Sequence, residues 1–158
     1  MKHLKKLAAL LLVGVLALSL LTACGGGGGS TSADAQAEAA VMAAINETQN
    51  RSGKDKLQNS SELRKIANQD LDAAISGKWG QLSSSFTFKD HTDLKNGKIG
   101  YTFIAKCDYK NTDLAELIKT DTNINSHLVN KWSEVGVVVR TFNGQTYIAI
   151  SAVFEFKT

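Results

Sequence analysis

Two runs rich in β-branched residues meet at an Asn-Gly pair near the C-terminal end, and that pattern leaves the chain few ways to fold. Val135 to Val139 reads Val-Gly-Val-Val-Val, Phe142-Asn143-Gly144-Gln145 follows, and Tyr147 to Phe156 resumes the apolar pattern. A type I′ turn needs positive φ at both central residues, which Asn and Gly accept at least cost. The spacing predicts a β-hairpin. An isolated hairpin is barely stable in water, so the rest of the chain has to extend and cover it.

The upstream pattern supplies the cover. Ala33 to Asn50 is rich in alanine, with Ala40, Val41, Ala44 and Ile45 on one face and Gly53 as the stop, and reads as a helix. A second helix is expected from Asn59-Ser60-Ser61-Glu62, through Leu63, Ile66, Ala67, Leu71, Ala74 and Ile75, to a stop at Gly77. Asp70, the one polar member of that repeat, falls on its core side or at its border, and the favoured of the two readings is a rim carboxylate facing water. Ser83-Ser84-Ser85 suggests a loop, and Phe86-Thr87-Phe88 alternates like a short strand. Asn96-Gly97 marks a turn, after which Lys98 to Cys107 alternates with Ile99, Tyr101, Phe103 and Ala105 on one side, a third strand to pair with the hairpin. His91 is read as a turn residue in a polar loop, Trp79 and Trp132 as core or rim aromatics, and Cys107 as a buried small hydrophobe at a strand end. Asp113-Leu-Ala-Glu116 has capping-box spacing and starts a helix through Leu114, Leu117 and Ile118 toward His127 and Asn130. That helix should break between Thr120 and Asn125, where helix formers are poor. The expectation is an α+β fold, an antiparallel sheet covered by helices.

The first residues read as an address. Lys2, Lys5 and Lys6 precede an apolar run from Leu7 to Leu20, and Leu21-Thr22-Ala23-Cys24 resembles the lipobox of bacterial lipoproteins. The resemblance implies a signal peptide over residues 1–23, cleavage before Cys24 and a lipid on its sulfur. Residues 24–39, beginning with the Gly25–Gly29 run, are read as a tether, and 40–158 as the domain. The formal charge of +3 is carried by those three lysines, so the mature chain is neutral. A neutral chain with no basic block offers nucleic acid no electrostatic footprint. With Cys24 lipidated, Cys107 has no partner in the same chain, and stability must come from the core.

His127-Leu-Val-Asn130 followed by Ser133-Glu134-Val135-Gly136-Val137-Val138-Val139 resembles the bacterial CAP domain, also called SCP (cysteine-rich secretory, antigen 5, pathogenesis-related). Ile45-Asn46-Glu47-Thr48-Gln49-Asn50-Arg51-Ser52-Gly53, then Leu57, then Leu63 to Asp70, is similar to that family's opening helices. The resemblance spans about Val41 to Phe156 and implies an α/β/α sandwich. Family members with a working cleft place two histidines and two glutamates around it, a set suited to a divalent metal. Here only His127 falls on a motif position, and Tyr101 stands where one glutamate is expected. No metal and no cofactor are therefore expected, and no catalytic residues.

The candidate cleft comprises His127, Tyr101, Asn130 and Trp132. His127 has two readings, a ligand contact or a link between helix end and strand through its ring nitrogens. There is no G-x-S-x-G elbow, H-E-x-x-H or phosphate loop. The expectation is a non-enzymatic, lipid-anchored domain on the extracytoplasmic side of the cell membrane, binding a lipid, glycan or protein. The alternatives are a degenerate CAP-type hydrolase and a structural envelope lipoprotein of unrelated α+β fold.

Overall fold

The computed structural model describes residues 32–49, 51–94, 98–121 and 132–154. Helix α1 is Ser32–Thr48, a 3₁₀ turn follows at Gly53–Asp55, α2 is Ser61–Ile75 and α3 is Leu114–Asp121. The strands are β1 Thr87–Leu94, β2 Lys98–Lys106, β3 Trp132–Phe142 and β4 Gln145–Phe154. They form one antiparallel sheet in the order β1-β2-β4-β3. This is the expected α+β architecture, with helices packed on an antiparallel sheet. The stretch called tether up to residue 39 includes part of α1, and Ala37 is fully buried, so the packed unit begins before residue 40. Cys24, the signal and the Gly run lie outside the described residues, as does the expected helix break after Asp121.

Local chemistry accounts for the boundaries. Ser60 caps α2, its side chain accepting from the Leu63 amide, and the helix closes before Gly77, whose φ of +85° is open to glycine at little cost. The Asp113 carboxylate accepts from the Glu116 amide at 3.0 Å, the forward half of the capping box. Asn143 and Gly144 take φ of +50° and +75°, and Phe142 pairs with Gln145 across the turn, as the hairpin reading required. The extended register of β1 corrects two readings at once. The strand runs well past Phe88, and His91 is a strand residue opposite Gly100 instead of a loop residue.

Side chains alternate between the two faces of the sheet. On one face Phe103, Val135, Val137, Val139, Ile148, Ile150 and Ala152 pack with Val41, Ala44 and Ile45 of α1 and Ile118 of α3. On the other, Ile104, Val138 and Ala149 pack with Ala67, Leu71 and Ala74 of α2. The sheet is apolar on both faces, which is why the hairpin runs lack simple two-residue alternation. Gly136 shows how closely α2 is seated: a Cβ there would lie 2.3 Å from the Arg64 amide nitrogen and 2.4 Å from the Leu63 carbonyl carbon.

Candidate functional site

Polar side chains cross the α2 face of the sheet in a row. Register places Lys89 opposite Thr102 and Thr102 opposite Ser151, so one residue from each of three neighbouring strands lines up. Asp70 descends from α2 onto this row. Its side chain is 7% exposed, which corrects the expectation of a rim carboxylate. One carboxylate oxygen lies 2.6 Å from His91 Nε2 and the other accepts from Lys89 Nζ at 3.1 Å. The same His91 nitrogen lies 3.0 Å from Thr102 Oγ1, which lies 2.8 Å from Ser151 Oγ. A carboxylate this deep needs such partners, because an unpaired buried charge costs several kcal/mol.

The row contains Ser, His and Asp but lacks the connectivity of a nucleophilic relay. A relay uses both ring nitrogens, one toward the nucleophile and one toward the carboxylate. Here a single nitrogen meets both the carboxylate and Thr102, and the hydroxyls beyond it are sealed, Thr102 being 0% and Ser151 2% exposed. The arrangement locks α2 to three strands and holds the Lys89 stem in place.

Lys89 links this row to the surface. Its ammonium stands 5.9 Å from the centre of the Trp79 ring, a cation–π distance, and its side chain is half exposed. Trp79 sits between Gly77 and Gly80, both at positive φ, in the turn that folds back at the end of α2. Ala73, Lys78, Trp79, Thr87, Phe88 and Lys89 line a groove of about 440 Å³ between α2 and β1. Phe88 is 53% exposed, a large apolar side chain left at the surface. Among the described residues no three His, Cys, Asp or Glu side chains converge as a metal site would require.

The candidate cleft is only partly in view, since His127 and Asn130 lie outside the described residues. Trp132 is 1% exposed, so it belongs to the core and does not line an open groove. Its ring lies parallel to that of Phe103 at 6.2 Å and edge-on to Phe154 at 5.7 Å. Tyr101 is half-buried and meets Phe88, Phe103 and Phe154. The structure thus brings Tyr101 and Trp132 together through Phe103 and Phe154, on the α1 face of the sheet. Cys107 is buried beyond the end of β2, as expected. Burial pushes its thiol pKa up, a hydrogen bond with Thr112 works against that and the Asp108 carboxylate adds to it, so the thiolate a nucleophile needs is suppressed.

Sequence reasoning missed the groove. Trp79 and Lys89 carry no motif, and their proximity depends on β1 pairing with β2 over a register that polar residues on both faces conceal. The one usable signal was Asp70, a carboxylate inside an apolar helical stripe, which implies a buried partner. Compared with protein families, curated proteins and solved structures, the chain has no match.

Proposed function

We propose that this chain is a lipid-anchored extracytoplasmic module, CAP-like in class, that binds a ligand or partner without transforming it. One observation carries the reading. The Asp70 carboxylate and the Thr102 and Ser151 hydroxyls are buried and, with the His91 imidazole, engaged with one another, while the exposed groove presents Trp79 and two lysines, a surface suited to binding. The lipobox before Cys24 supports the anchored location. The CAP-like class rests on the sequence resemblance at Ser133 to Val139 and Ile45 to Gly53.

The test uses the full chain in its native host and in purified form. Wild-type protein is expected in the membrane fraction, and the Cys24→Ala variant in the soluble extracytoplasmic fraction. The released variant is then mixed with washed cell envelope and sedimented. Co-sedimentation is expected to fall at least about fivefold on adding Trp79→Ala, an effect on the order of 1 kcal/mol, with no fragment released from the envelope over time. Retention of the Cys24→Ala variant in the membrane would overturn the anchor. Equal sedimentation with Trp79→Ala would overturn the groove as the binding surface, and time-dependent release of fragments would favour the hydrolase.

A further inference from the structure

The two edges of the sheet are treated differently. The outer edge of β3 is closed by hydrogen bonds from other parts of the chain. The Ser60 amide donates to the Val135 carbonyl at 2.8 Å. Asn59 pairs with both backbone groups of Val137, accepting from its amide at 2.8 Å and donating to its carbonyl at 3.2 Å. Arg64 Nε donates to the same carbonyl, the Val139 amide to Glu38, and Arg51 to the Trp132 carbonyl. Such closure prevents strand addition.

β1 forms the other edge, and among the described residues nothing bonds its outward backbone groups. Every second residue of an edge strand presents a free N–H and C=O, a template for one more strand. The groove between α2 and β1 runs along this edge. It has an apolar floor in Ala73 and Trp79 and charges of one sign in Lys78 and Lys89, while the exposed Phe88 side chain stands on the other face of β1, against Tyr101. Asp70 occupies one face of the Lys89 ammonium, whose remaining donors reach solvent. Asp90, the acidic neighbour, faces the opposite side of the sheet, opposite Tyr101.

We propose that β1 and the α2 groove take up an extended segment of another protein as a fifth strand, its acidic side chains meeting Lys78 and Lys89 on the α2 face and its alternate apolar side chains resting on the exposed Phe88 on the other face. Backbone pairing supplies affinity and the alternating pockets supply selectivity. This rests on the binding-module reading above and names its partner class. A second copy of this chain fits less well. Registers of antiparallel self-pairing whose two-fold axis passes Lys89 or Asp90 would set like charges directly opposite, which is destabilising.

The probe is a short acetylated and amidated peptide of alternating valine and glutamate, added to the full chain in detergent micelles and followed by tryptophan fluorescence and amide hydrogen exchange. Saturable one-to-one binding is expected, with slowed exchange of amides within Thr87–His91. Lys78→Glu, at an exposed position, should weaken binding at least about tenfold, as should exchanging glutamate for lysine in the peptide. The lysine peptide should in turn regain affinity for the Lys78→Glu variant. N-methylation of alternate peptide amides should also abolish binding, since it removes strand pairing while keeping the side chains. Undiminished binding of the N-methylated peptide would overturn strand addition, and equal binding of the lysine peptide would overturn the acidic partner. If no peptide binds while Trp79-dependent envelope sedimentation persists, the strand proposal fails and the binding module stands; if both are absent, both fail.

Discussion

At the scale of single residues, Gly136 and Asp70 carry the most information, and neither role follows from residue type. Gly136 has no positive φ to demand glycine. It is required because the first turn of α2 lies against the strand where a Cβ would stand, with Arg64 and Leu63 backbone atoms inside 2.5 Å of it. Backbone atoms cannot step aside as a flexible side chain could. Gly136→Ala should therefore lower unfolding free energy by about 1–3 kcal/mol or more, the range for overpacking a core. The denaturant midpoint measures it. A loss below about 0.5 kcal/mol would mean that α2 moves off the sheet at little cost. Asp70 was legible as an anomaly, a carboxylate in an apolar stripe, but its partners Lys89 and His91 lie 19 and 21 residues away in a strand that pairing alone defines.

At the scale of elements, the hairpin was the most legible part, because its turn and both strands lie within one short stretch. Its turn requires left-handed φ at Asn143 and Gly144. A β-branched residue is disfavoured there, so Gly144→Val should cost roughly 1 kcal/mol or more and lower the melting temperature by several degrees. Gly27→Val in the expected tether should leave the melting temperature unchanged, and equal shifts at both positions would contradict the turn assignment. Helix α2 was similarly legible, from a serine cap, a stripe at spacings of three and four, and a glycine stop. β1 was not. Thr87, Lys89 and His91 alternate with Phe88 and Asp90, so polar residues occupy both faces and the period of two carries no apolar signal. The strand exists because β2 offers it a hydrogen-bonding edge and because Asp70 is positioned to receive two of its side chains.

At the scale of the whole molecule, one ion pair joins the helical layers around the β3 edge. Glu38 comes from α1 and Arg64 from α2. They meet with both carboxylate oxygens 2.8 Å from Arg64 Nη2, while Arg64 also bonds the Val137 carbonyl and Glu38 accepts from Val139. Removing one partner leaves the other charge mostly buried. Arg64→Ala should cost about 2–4 kcal/mol in urea unfolding. The double variant Glu38→Leu with Arg64→Leu should cost less than Arg64→Ala, because no charge is stranded. A double variant less stable than the single one would show that the pair contributes net attraction beyond avoiding an unpaired charge.

What the sequence determined by itself is whatever depends on neighbours along the chain: the helix caps, the Asn-Gly turn, the apolar stripes, and from these an antiparallel sheet under helices. Local rules suffice there because a cap or a turn closes its hydrogen bonds within a few residues. What only the tertiary structure decided is which sheet edge is closed and which, among the described residues, is open, the burial of Asp70 beneath α2, and the meeting of Trp79 and Lys89 in one groove. Those outcomes depend on strand register and on a helix seated over a particular glycine. A shift of one residue in that register would turn every β1 side chain to the opposite face, and no local pattern in Thr87–Leu94 distinguishes the two.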